Sequence, residues 1–396
     1  MRSIIILLGI SLLAGCVGAP ALHKSVIGYD ETTSQLEQEI LLLNIVRLSQ
    51  NSTVHFTVTG SIAATFDFTT SGNFSGSIVT SPGNNVFDFG LSSSASENPT
   101  FTIVPISGED FTKRVITPFS ENTFANLGYQ DLSIAILTRL MASSIEIYDR
   151  KARRIGVMRN DPAKRHDEYI SFRRFAMHLE SLQMQNQLFV KNLIFDKGVL
   201  DSVKEPWDGD TNDLAYAVNE GMRWQHNEDG TYNVMKRTIG RVLVSNYDSR
   251  LLTNEELNDL DEIANHQPDN YVLVDIRQGY PGGEFPLFGV IKLRSFFHIL
   301  RFVSGGVGKD QKDLRLDIVP DPRTRGKIEY NPPLTLTVNV SDEAPSADVL
   351  HIQYKNRYYS IGENQWDQSA FMILNSLFQG TVTDVSNTGI PITISK

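Results

Sequence analysis

Between Ser52 and about Ser107 the chain carries no Lys or Arg and is built mainly from Ser, Thr, Gly, Asn and Phe. Val54, Phe56, Val58, Gly60, Ile62, Ala64, Phe66 and Phe68 take every second position. His55, Thr57, Thr59, Ser61, Ala63, Thr65 and Asp67 stand between them. A period of two puts one set on each face of a β-strand and cannot form a helical stripe. Ser71-Gly72-Asn73 and Ser81-Pro82-Gly83-Asn84-Asn85 have turn chemistry, and Phe74–Thr80, Val86–Ala95 and Thr100–Pro105 continue as strands. The expectation is an antiparallel meander of about four strands over residues 51–107.

Two environments suit such a meander. Its apolar face could pack on a neighbouring helix or on the later modules, as in a soluble sheet. It could instead face lipid, with the Ser/Thr face toward water, as in a transmembrane barrel. A soluble sheet usually places charge on its wet face and edges, and this segment has little. In the membrane arrangement Phe56, Val58, Ile62, Phe66 and Phe68 face lipid, and Thr57, Thr59, Ser61 and Thr65 face the lumen. Four strands cannot close a barrel, which needs about eight, so several copies are required.

The N-terminus sets the compartment. Arg2 precedes an apolar run from Ile4 to Leu13 that is too short for a permanent span of roughly 20 residues and has the length of a signal-peptide core. Leu13-Ala14-Gly15-Cys16 follows. It resembles the lipobox of bacterial lipoproteins. The resemblance implies cleavage after residue 15, a diacylglycerol on the Cys16 thiol and acylation of the freed amine, a stable multi-chain anchor. Val17 in place of Asp implies sorting to the outer membrane. Cys16 is the only cysteine, so the exported chain folds without an internal disulfide. Loss of the signal removes Arg2 and no acid, taking the formal charge of −10 to −11. That balance argues against nucleic acid as a partner.

The remainder is mixed. Residues 16–32 are expected as a tether and 33–50 as a helix opened by a Ser34–Glu37 capping box. Two modules follow, 108–250 and 251–396. Helices are expected at Gln130–Arg150, Asp167–Leu188, Asp213–Trp224, Asn254–Asn265, Leu293–Val303 and Gln368–Phe378. Strands are expected at Phe189–Phe195, Ile239–Tyr247, Tyr271–Ile276, Leu334–Val340, Val349–Tyr354, Tyr358–Ile361 and Thr381–Ile394, with a hairpin turn at Asp229-Gly230 between Met222–Asn227 and Tyr232–Met235, the first arm being strand or the end of the preceding helix. Helices and strands interleave without a βαβ rhythm, so the class is α+β.

Leu36–Leu48 (LEQEILLLNIVRL), Asn98–Phe111 (NPTFTIVPISGEDF) and Lys292–Leu300, followed by Ile352–Ile361 (IQYKNRYYSI), occur in this order. Together they resemble a family of largely uncharacterised proteobacterial lipoproteins. The resemblance implies topology and location, and it brings no active site. The chain departs from the pattern at Gly362-Glu363-Asn364, where acidic residues are usual.

Motifs for chemistry are wanting. There is no Gly-x-Ser-x-Gly, Ser-x-x-Lys or His-Glu-x-x-His, and no glycine loop with nucleotide-binding spacing. His166 and His178 lack zinc spacing. Asp208–Asp213 offers oxygens at positions one, three and five of an EF-type loop, but Asp213 stands where Gly is needed and Asn219 where Glu is needed. Arg153-Arg154 and Arg173-Arg174 suit solvated helix faces, or contact with lipid headgroups or an acidic partner. The expectation is a non-enzyme without metal or cofactor: a lipid-anchored, homo-oligomeric component of an envelope assembly, in its strongest form a pore. The alternative is a monomeric binding lipoprotein that uses the Tyr280–Pro286 loop on a ligand or envelope partner.

Overall fold

The computed structural model describes residues 18–77, 86–106, 108–149, 151–203, 217–309, 314, 331–381 and 392–395. The chain divides into two compact units: Met1–Asn44 with Thr53–Thr112 and Val382–Lys396, and Ile45–Ser52 with Lys113–Thr381. The class is α+β.

The first unit begins with α1, Gly18–Ser49, which runs on into the second from Ile45. The expected tether is therefore helical from Gly18, and the Ser34 capping box does not form. Ser34 lies inside the helix and accepts from Gln38 Nε2 at 3.2 Å, while Thr32 donates back to the Gly28 carbonyl at 2.7 Å. Hydroxyl residues are tolerated in helix interiors by such local bonds. Leu41 and Leu42 are fully buried.

After α1 come β1, Phe56–Ser77, and β2, Val86–Ile106. They form one antiparallel hairpin that stays paired from Phe56↔Ile106 to Ser77↔Val86. The expected four-strand meander is thus two strands of 22 and 21 residues. The Ser71-Gly72-Asn73 turn is absent, because those residues pair with Ser92, Leu91 and Gly90. The Ser81–Asn85 turn lies outside the described residues. β13, Ile392–Ser395, pairs with β2 from Ile103 to Thr100, giving the order β1-β2-β13. α2, Glu109–Ile116, follows the hairpin.

The second unit is built on a seven-stranded mixed sheet. Its strands are β3 (Ala142–Tyr148), β4 (Arg154–Arg159), β5 (Phe189–Val203), β6 (Met222–His226), β7 (Tyr232–Ser245), β8 (Tyr271–Ile276) and β9 (Leu287–Leu293). The order is β4-β3-β9-β8-β7-β5, with β6 also on β7; the β7–β8 pair is parallel and the others are antiparallel. α3 (Glu121–Gly128), α4 (Ile134–Met141) and α5 (His166–Met184) precede or interrupt it. α6 (Asn254–Asn265) lays Leu257, Leu260 and Ala264 on Leu193, Leu243, Leu273 and Val290 of the sheet. A small sheet, β10-β12-β11, uses Val338–Ser341, Arg357–Ile361 and His351–Tyr354. α7 (Phe296–Ser304) and α8 (Gln365–Thr381) meet through Phe296 and Phe378, 5.7 Å apart.

The helix expected at Gln130–Arg150 ends at Met141. Ala142 to Tyr148 is instead β3, held between β4 and β9. Residues 213–216 of the helix expected at Asp213–Trp224 lie outside the described residues. The hairpin expected about Asp229-Gly230 forms, with Met222–His226 as β6 on β7, so the helix reading of its first arm falls. Gly230 there has φ +83°, which favours glycine.

Candidate functional site

The hairpin is the candidate site, and its root is anchored inside protein. The Asn44 side chain is fully buried; it donates to the His55 carbonyl at 2.8 Å and accepts from the His55 amide at 2.9 Å. Phe56 is 3% exposed and meets Phe111 edge to face at 5.8 Å, and Ile106 opposite it is also buried. Phe56 therefore belongs to a packed root. This corrects its placement among the lipid-facing residues.

Above the root lies a bulge. Thr59 pairs with Ile103, but the next rung is Ser61 with Thr102, so Gly60 is an extra residue in β1. A glycine suits such an insertion. On β2 the alternation is unbroken: Ile106, Val104 and Thr102 share one face, and Pro105, Ile103 and Phe101 the other. Residues paired opposite one another share a face. Phe56 and Val58 are thus on the face of Ile106 and Val104, and beyond Gly60 that face continues with Ser61 and Thr65, not with Ile62 and Phe66. One inserted residue exchanges the two faces of a strand.

The expected grouping is corrected accordingly. Val58 shares its face with Ser61 and Thr65, while Thr57 and Thr59 share theirs with Ile62, Phe66 and Phe68. Beyond the bulge the faces separate cleanly. One row carries Ile62, Phe66, Phe68 and Phe74 on β1, and Phe101, Leu91, Phe89 and Phe87 on β2, with Glu97 opposite Phe66 as its one charge. The other carries Ser61, Thr65, Thr69, Ser71 and Asn73 opposite Thr102, Asn98, Ser94, Ser92 and Gly90, with Asp67 and Asp88 as its charges.

From Ile62 to Gly76 the apolar row runs about 48 Å at ~3.4 Å per residue. Tilted by ~40°, it rises about 36 Å, enough for the ~25 Å apolar band of an outer-membrane barrel. Phe66, Phe68 and Phe101 mark its root end, and Phe74, Phe87 and Phe89 its tip. Paired aromatic girdles flank the band in such barrels. Beyond the four rungs taken by β13, both long edges of the hairpin are open among the described residues.

Leu13, Ala14, Gly15 and Cys16 lie outside the described residues, as does the Asp208–Asp213 loop. Among the described residues no group of His, Cys, Asp and Glu could hold a metal ion, and no helix is long and apolar enough to cross a membrane.

The second unit's charged side chains mostly serve its architecture. Arg153 and Arg154 pair with Asp149 and Glu146 at 2.7 and 3.6 Å. Arg173 is buried and donates to the Asn331 carbonyl, so the solvated face expected for it is corrected. Arg139, also buried, donates to Tyr169 and to the Pro332 and Pro333 carbonyls at 3.2, 2.9 and 3.3 Å. Arg294 donates to the carbonyls of Arg139, Leu140 and Asn160 at 3.2, 3.0 and 2.8 Å, tying off the last turn of α4. Arg139, Arg173 and Arg294 were not legible as core residues, since their sequence neighbourhoods carry no motif.

His178 is buried with its ring against Phe285 at 5.5 Å. The Tyr280–Pro286 loop is a fixed turn. Tyr280 packs on Tyr247 at 5.0 Å, Asn246 Nδ2 donates to the Pro281 carbonyl at 2.9 Å, and Gly282 sits at φ +73° against Leu182. A cleft of about 540 Å³ is lined by Tyr148, Asp259, Glu262, Ile263, His266 and Val290. Burial, and then the hydrogen bond to Glu146 at 3.0 Å, push the Tyr148 hydroxyl up to about 12. It is a neutral donor and no general base at physiological pH. Comparison of the chain with protein-family models, curated proteins and solved structures finds no match.

Proposed function

We propose that this chain is a non-enzymatic, lipid-anchored lipoprotein of the outer membrane whose β1–β2 hairpins assemble, copy beside copy, into a β-barrel pore. The observation that carries the proposal is the register beyond Gly60. It sorts a hairpin of 22 and 21 residues into an apolar row with two aromatic clusters and a hydroxyl-rich row without Lys or Arg. Ile62, Phe66 and Phe68 then meet lipid, and Ser61 and Thr65 the lumen. A lone hairpin is marginal in water, and unpaired backbone edges cost several kcal/mol per group in hydrocarbon. Pairing the open edge of β1 with the open edge of β2 in the next copy satisfies both. At two strands per copy, about four copies or more reach the smallest stable barrel. The lipid on Cys16 holds each copy at the membrane, and the second unit stays in the periplasm.

The test is the full, lipidated chain extracted in detergent, imaged by electron microscopy and added to planar bilayers. Rings with unitary conductance steps are expected; monodisperse monomers without conductance refute the pore. Labelled palmitate should enter the wild type and not Cys16→Ser. A second reading, a monomeric binding lipoprotein, draws support from the cleft beside Tyr148 and Ile263. It predicts monomers in the same images.

A further inference from the structure

Resting on the pore reading, we infer that the assembled channel passes small hydrated cations in preference to anions, and that Asp67 and Asp88 set this preference. The register places Asp67 opposite Ser96 and Asp88 opposite Ser75. Along β1 these rungs, at positions 67 and 75, differ by an even number with no further bulge between them, so both acids fall on one face. That face is the hydroxyl-rich one, shared with Ser61, Thr65 and Thr69.

The rungs lie about 27 Å apart along the strand at ~3.4 Å per residue. Repeated around a ring of copies, they form two carboxylate rings at two depths. Rings of Asp or Glu are the device by which cation channels exclude anions. Nothing on the strands opposes them, because neither β1 nor β2 contains Lys or Arg. The hydroxyls and amides between the rings offer weak oxygen contacts to a passing cation, and weak, repeated contacts permit throughput. Glu97 is the remaining acid of the hairpin, and it belongs to the other face, opposite Phe66. It provides an internal control: a charge of the same sign, on the same strand, that the register keeps out of the lumen.

The experiment measures reversal potentials of the full, lipidated chain in planar bilayers under a potassium chloride gradient. Wild type is expected to favour potassium over chloride, with a permeability ratio of about 5 or more, as acidic rings produce. D67N/D88N should conduct with that ratio reduced at least about threefold, and E97Q should match wild type. The single variants D67N and D88N should each lower the ratio part of the way, since each removes one of the two rings. These single variants serve even where the double variant does not assemble. Anion preference, a ratio that D67N/D88N leaves unchanged, or an E97Q effect as large as that of D67N/D88N overturns the inference while the pore stands. Absence of conductance from wild type removes the pore reading and this inference with it.

Discussion

Asn44 is the residue on which the hairpin's root turns, and its replacement gives a sharp prediction. Its side chain is fully buried and makes two hydrogen bonds to one residue, to the His55 carbonyl at 2.8 Å and from the His55 amide at 2.9 Å. Asn44→Ala removes both bonds but opens space at a site that is only partly buried on the His55 side. Water can take up the freed groups there. At about 1 kcal/mol net per hydrogen bond, the cost is about 2 kcal/mol. Asn44→Leu fills the same volume with a group that neither donates nor accepts and keeps water away. Two dehydrated backbone groups at about 1–3 kcal/mol each raise the cost to about 4 kcal/mol. The order is the informative part: the better-filling side chain should be the worse one. Urea denaturation of both variants beside wild type, with limited proteolysis across Ser52–His55 to report local opening, supplies the measurement. Leucine as stable as alanine, or either variant within about 0.5 kcal/mol of wild type, refutes the clamp, since that is the range of ordinary surface changes.

Three further predictions concern the second unit. Gly289 lies in β9 opposite Ile147, where an added Cβ would stand 2.0 Å from the Glu146 carbonyl oxygen; Gly289→Ala should cost about 2–4 kcal/mol by forcing β3 from β9, and a neutral urea midpoint refutes it. Arg294→Met should cost about 3 kcal/mol, because its three bonds to the Arg139, Leu140 and Asn160 carbonyls are lost. Arg294→Lys should recover only part of this, since an ammonium lacks the planar fork; thermal unfolding ranks the two. Glu180 accepts from Ser133 Oγ and the Ala135 amide at 2.8 and 2.9 Å, yet burial outweighs both bonds and pushes its carboxyl above the usual range. A raised native pKa contributes stability below the unfolded value, about 4.3, and loses it as pH rises through the native value. Glu180→Gln, which keeps an acceptor without the charge, should gain on wild type between pH 4 and pH 7; an equal gap at both pH values refutes the assignment.

Some of this structure was legible in the sequence for identifiable reasons. α6 begins after Thr253 because that residue and Glu256 cap each other reciprocally, with Thr253 Oγ1 accepting from the Glu256 amide at 3.2 Å, and such signals are local. β8 showed through its β-branched run, and the Asp229-Gly230 turn through its Asp-Gly pair, whose glycine takes the positive φ. β3 was hidden because α4 hands over to it at Met141–Ala142 without a glycine or proline. β9, LFGVIKL, is buried on both faces and lacks alternation, so periodicity could not separate it from a core helix. The exchange of faces at Gly60 was beyond sequence alone. The alternation runs straight through that position, and only the partner strand shows that a rung is missing there. The buried arginines share that difficulty, since their partners are backbone carbonyls far along the chain.

The short strand Ile392–Ser395 lies against Thr100–Ile103, with nearly the whole second unit threaded between them. Contacts so distant in sequence form late, after most of the chain has been ordered. The hairpin's outer flank near its root is thus sealed by a segment that lies beyond the second unit in sequence. Without residues 392–395 the Thr100–Ile103 edge would be bare, and a bare strand edge is a template for pairing with another chain.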